Sequence, residues 1–199
     1  FLSDKVNNPN KWSFPSSFII PPNGLGIVYC SGRDEITPNG NAHTNFKITQ
    51  TKGNEVLILS DNNGALLDSV RVFPNQDSHS RGRSSNGSNI WSVFTTATPA
   101  LNNANPQQEY AATPVFSQIG GYYSGNITIT ISSPAPNISI YYTTNGDFPD
   151  NTATQYIGPI NVSSTQVVKA VAYSSAANIP QSFIAFNTYF INATHTIPI

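Results

Sequence analysis

Asp147 and Asp150 lie three residues apart in "NGDFPD", in a half of the chain that has few other charges. Two carboxylates so placed can do three kinds of chemistry. Facing each other across several ångströms, with one pKa raised, they form an acid–base pair for glycosidic bonds. With further oxygen ligands they hold a hard cation. At a turn they accept backbone N–H bonds. Asn145-Gly146 tolerates left-handed backbone and Pro149 stops a strand, so the turn reading leads. No Glu follows to complete a calcium loop, so no metal is expected, and Asp147 and Asp150 stand only as secondary cation candidates.

The remaining reactive side chains are scattered. Cys30 is the sole cysteine and sits in "GLGIVYC", which reads as a buried strand rather than the electropositive, open setting of a nucleophile. His43, His79 and His195 are far apart, with no HxH or CxxC to nucleate a zinc site. Neither a Gly-x-Ser-x-Gly elbow nor a phosphate loop occurs. No catalytic residue and no cofactor is therefore expected, and the chain is read as not an enzyme. One binding chemistry does suit the composition. Trp12, Tyr122 and Tyr141 can stack on sugar rings beneath an Asn-rich, uncharged rim; the competing reading is that alternate aromatics face a core.

Charge sets the limits on partners. Of 199 residues only 10% are charged, against about 25% in an average soluble domain, and net charge is −1. Nucleic acid is excluded as a partner, because phosphate binding needs clustered Lys and Arg. No apolar run is long enough to insert into a membrane. Asn occurs 24 times and supplies much of the polar surface.

The elements that would position these residues are strands. Fifteen prolines and thirteen glycines punctuate the chain, with β-branched runs between. Candidate strands in the first half are 26–30, 45–49, 55–60, 65–73 and 89–95, with a short one within 79–84 and a hairpin at "DNNG". Residues 106–113 carry no hydrophobic period and read as a linker. Beyond it, "NITITIS" places Ile127, Ile129 and Ile131 on one face, and "NISIYYTT" places Ile138, Ile140 and Tyr142 on one face, turning Tyr141 outward. "QVVKAVAYS" is ambiguous until Lys169 is considered. An unpaired buried ammonium is costly, so Val168, Ala170 and Ala172 should face in. The expected fold is all-β: two immunoglobulin-like antiparallel β-sandwiches in tandem, residues 1–105 and 114–191.

The stretch from "TPVFSQIGGYY" through "IYYTTNGDFP", "YIGPI" and "VVKAVAY" resembles the immunoglobulin-like domain named after the C-terminal domain of chitobiase and β-hexosaminidase. Asn145 stands where that family usually has Asp. The first half, in "FLSD", "KWSFP", "IPPNGLGIVYCSG" and "SRGRSSNGSNIWSVFTTATPALNNAN", resembles a bacterial lamin-tail domain lacking its first strands. "FNTYFINATHTIPI" is similar to the lead-in of CotH-like kinase domains, so residues 192–199 would begin a further domain. These resemblances imply a non-catalytic spacer or scaffold of a secreted or cell-surface bacterial protein. The alternatives are a polysaccharide-binding module or the accessory region of a CotH-like kinase. Implied partners are polysaccharide, neighbouring domains of the same chain, or a second copy paired through an open sheet edge.

Overall fold

Apolar side chains at every second position, cut by Gly, Pro and Asn, produce strands and no helix among the described residues, which in this computed structural model are 1–49 and 51–194. His195 and the last residues of the expected further domain fall outside them. The chain is all-β and divides into two compact units. One comprises residues 1–90 with 96–104; the other comprises 91–95 with 105–199.

The first unit contains β1 (Leu2–Ser3), β2 (Val28–Tyr29), β3 (Glu35–Ile36), β4 (Ala42–His43), β5 (Glu55–Ser60), β6 (Leu66–Val72) and β7 (Ser80–Arg83). β1, β5 and β6 form an antiparallel sheet in that order; β4 lies between β2 and β3 in a second. Leu2, Trp12, Ala42 and Phe46 form the core, with Phe14, Phe18, Val28, Leu57 and Leu59 packed against it. "DNNG" makes the expected hairpin between β5 and β6, with Asp61 Oδ1 accepting from the amides of Asn63 and Ala65. β6 is the edge of its sheet and carries Asp68 and Arg71, charges of the kind that discourage edge-to-edge pairing. Residues 45–49, expected as a strand, form only a single bridge, Lys47 to Ser31. Phe46 and Ile48 still point to the core, so the side-chain alternation is met without a hydrogen-bonded ladder.

The second unit contains β8 (Trp91–Phe94), β9 (Val115–Phe116), β10 (Gly121–Tyr123), β11 (Ile127–Ile129), β12 (Ile131–Ser132), β13 (Ile138–Thr143), β14 (Thr154–Gln155), β15 (Ile160–Val162), β16 (Gln166–Ser174) and β17 (Ala185–Ile191). Five strands make one sheet, in the order β10-β17-β16-β13-β14. β11 pairs with β15 and β12 with β9 in the opposing layer. The run "NITITIS" serves both of these pairings, changing partner at Thr130. Its isoleucines face in: Ile129 and Ile131 meet Ile160, Val162, Val168, Ala170, Ala172 and Tyr189 in one cluster. The chain also crosses between layers from β9 to β10. Gly120 fits closely there: a Cβ would lie 3.0 Å from the Thr188 carbonyl, which would have to give way by a few tenths of an ångström. The carbonyls beside it receive two tyrosine hydroxyls, Tyr189 Oη to Gln118 O at 2.9 Å and Tyr123 Oη to Ile119 O at 2.7 Å. The Tyr189 ring is thus fully buried with its polar end satisfied.

Two segments near the expected boundary carry specific local bonds. Strand 91–94, placed by sequence in the first sandwich, is grouped with residues 105–199 in the division above. Val93 exchanges both backbone hydrogen bonds with Gln107, and Val93 and Phe94 are buried. Residues 106–113, read as a linker, are bonded along that same unit. Gln108 and Ala111 amides donate to the carbonyls of Asn178 and Pro180, and Tyr110 packs edge-on against Phe183. Composition flagged the missing hydrophobic period but could not reveal a segment held chiefly by its backbone.

Ala170 lies in the packed layer between the sheets, where added volume has no room. Ala170→Leu should lower stability by about 1–3 kcal/mol in urea unfolding followed by circular dichroism. Thr128→Ala, on the exposed side of the same alternation, should change it by less than about 0.5 kcal/mol.

Candidate functional site

The acidic turn comes first, since it carried the only catalytic spacing. Gly146 takes φ 85°, the left-handed conformation that the turn needs. Asp147 Oδ2 accepts from Asn145 Nδ2 at 2.6 Å, and the Asp147 carbonyl accepts from Thr143 Oγ1. Asp150 Oδ1 accepts from the hydroxyl and the amide of Thr152. These bonds, the hydroxyl's foremost, hold the Asp150 carboxyl below the usual carboxylate range. A general acid requires the opposite shift. Among the described residues no three His, Cys, Asp or Glu side chains group as a metal site.

The other reactive groups are likewise engaged in the fold. Cys30 packs against the first unit's core, and burial pushes its thiol up, away from the thiolate form. His43 is buried, with Nδ1 2.9 Å from Ser31 Oγ and its ring stacked on Tyr29. It borders a recess of about 400 Å³ that is also lined by Lys11, Trp12, Asp34, Glu35 and Asn45. Of the charges there, Lys11 pairs with Asp4 at 2.6 Å, Glu35 with Arg33 at 3.6 Å, and Asp34 accepts from the Trp12 indole.

The three aromatic candidates part company. Trp12 is 4% exposed and belongs to the first unit's core; its Nε1–H donates to Asp34 Oδ1 at 3.1 Å. Little of the indole is left for stacking, because Trp12 is bridged to Leu2 of β1 and its ring lies in the core. Tyr141 faces the outer side of the five-stranded sheet, as its alternation with the core residue Ile140 requires, but is half-buried and stands edge-on to Tyr173. Tyr122 is 55% exposed and stacks on Phe190 at 4.6 Å.

That outer face holds more than the sequence candidates. Alternation along β17 sends Tyr189 and Ile191 in and Phe186 and Phe190 out. Tyr122 is level with Phe190 on the neighbouring strand. Four residues along β17, about 13 Å away, Phe186 is level with Lys169. The Phe148 ring, 77% exposed, comes off the acidic turn and lies over the Lys169 ammonium, 3.9 Å from ring centroid to Nζ. Phe148, Lys169, Ile184 and Phe186 enclose a recess of about 360 Å³. At the far end the face is closed: Val171, level with Tyr141, is fully buried. Phe148, Phe186 and Phe190 were missed as candidates. The signal available was strand parity, since the same alternation that buries Tyr189 exposes its phenylalanine neighbours.

Residues 118–183 match the family profile of the chitobiase/beta-hexosaminidase C-terminal domain. That immunoglobulin-like match lies wholly within the second unit and agrees with its all-β architecture. Neither the curated proteins nor the solved structures yield a match. No helix among the described residues is long and apolar enough to cross a membrane, which says nothing of strands.

Truncating a buried indole costs about 3–5 kcal/mol. Trp12→Ala should therefore act on the first unit's stability, seen as a lowered urea midpoint, rather than on any surface property. An unchanged midpoint would return Trp12 to the list of surface residues.

Proposed function

We propose that this chain is a non-catalytic accessory region of a secreted or surface-attached multidomain protein, and that its second unit docks polysaccharide on the outer face of the five-stranded sheet. One observation carries this reading: Tyr122, Phe190, Phe186 and Phe148 gather on a single side of one sheet, with Phe186 66% exposed. Leaving side chains of this size in water forgoes about 1.5–3 kcal/mol each that burial would return. Exposed aromatic side chains gathered on one sheet face mark a candidate interaction site. Sugars fit it because a pyranose presents a flat C–H face to an aromatic ring while its hydroxyls meet the Asn and Thr rim. The match to a chitobiase-type domain supports an accessory role beside carbohydrate-active domains. The acidic turn supports it too, because its carboxylates are spent on the turn itself.

Affinity electrophoresis through gels carrying plant, chitin or peptidoglycan glycans tests the reading. The native chain should be retarded by at least one of them. The double variant Tyr122→Ala/Phe186→Ala should weaken that retardation about tenfold or more, taking about 1 kcal/mol per ring. Unaltered migration of the native chain in every gel would overturn the reading and leave a spacer.

A further inference from the structure

Lys169 is the only Lys or Arg between Thr113 and the end of the chain. Among the described residues it forms no hydrogen bond or ion pair; its neighbours are the Phe148 ring above it and Phe186 directly across the strand pair. An ammonium in water is strongly hydrated, and one covered by an aromatic ring gives up part of that hydration without gaining an anion. A cation–π contact returns only a fraction of it. The recess of about 360 Å³ at this spot is therefore apolar on its walls and cationic at its floor. The two nearby acids do not fill the role of counter-ion. Asp147 accepts from Asn145 and Asp150 from Thr152 within the turn, and neither is ion-paired to Lys169.

Resting on the polysaccharide reading above, we infer that the sugar recognised at this recess carries a carboxylate: the ligand is a uronate-type acidic glycan rather than a neutral one. Phe148 and Phe186 take the ring's C–H face, and Lys169 Nζ takes the carboxylate oxygens. The match is one of charge complementarity. A neutral sugar would leave the ammonium unpaired beneath it, whereas a carboxylate completes its coordination inside a partly desolvated site, where the attraction is less screened than at an open surface. The rest of the face, with Tyr122 on Phe190, is uncharged and would bind neighbouring sugars by stacking alone.

The test uses the whole chain and titrates it by calorimetry with polygalacturonate, its fully methyl-esterified form, a neutral glucan and poly-glutamate. Polygalacturonate should bind at least fivefold more tightly than the ester, which keeps the ring and removes the charge. The difference should shrink as salt is raised from 50 to 500 mM. Lys169→Gln, which keeps a polar chain of similar reach, should bring polygalacturonate down to the ester. Equal binding of acid and ester, or an unaffected Lys169→Gln, would overturn the inference while leaving the polysaccharide reading in place. Poly-glutamate binding as tight as polygalacturonate would also overturn it, as a mere response to charge. Binding to none of these glycans would overturn the inference, and the wider gel panel above then decides the polysaccharide reading.

Discussion

The second unit depends on where one ammonium cannot go. β16 is flanked by partners on both sides in the middle of a five-stranded sheet, and its sequence would allow either face to be buried. Lys169 breaks the tie. With the lysine outward, Val168, Ala170 and Ala172 fall into the layer between the sheets, all fully buried. Register then propagates from strand to strand. Pairing of β16 with β17 sets Phe186 beside Lys169, and pairing with β13 sets Thr143 there. A slip of one residue would exchange every side chain between core and surface. The register that builds the core therefore also lines up the aromatic outer face.

With so few charges, the protein controls its turns by other means. Among the described residues, eight non-glycine residues take left-handed φ, and five of them are asparagines: Asn23, Asn105, Asn137, Asn178 and Asn192. Asn adopts this conformation more readily than other side chains with a Cβ. Part of the asparagine richness is thus conformational and does not signal a sugar-binding rim. Where charge is used, it is local. Arg83 Nη2 donates to both carboxylate oxygens of Asp68, at 2.8 and 2.7 Å, and holds that carboxyl below the usual range. Asp68 is largely exposed, so this pair adds little stability.

Strand parity was readable wherever alternation was clean. "NITITIS", "NISIYYTT" and the lysine argument for "QVVKAVAYS" each gave the side that faces the core. What could not be read was tertiary pairing. Nothing local tells that Val93 exchanges backbone bonds with Gln107, or that "NFKIT" points its side chains correctly without forming a ladder. Trp12 illustrates the limit for the site. An isolated Trp between polar residues looks available, and only its pairing with Leu2 turns it in. Phe148 shows the reverse, because a turn residue read as punctuation ends above Lys169 and becomes part of the candidate surface.

The central claim is that ligand meets the second unit's outer sheet face and not the first unit's polar recess. Aromatic proton–carbon NMR spectra of the chain, recorded while a soluble polysaccharide that it binds is added, test this most directly. The account predicts that ring signals of Tyr122, Phe148, Phe186 and Phe190 shift together, while Tyr189 and the Trp12 indole stay fixed. Shifts at Trp12 and His43 with a silent Phe148 and Phe186 would contradict it.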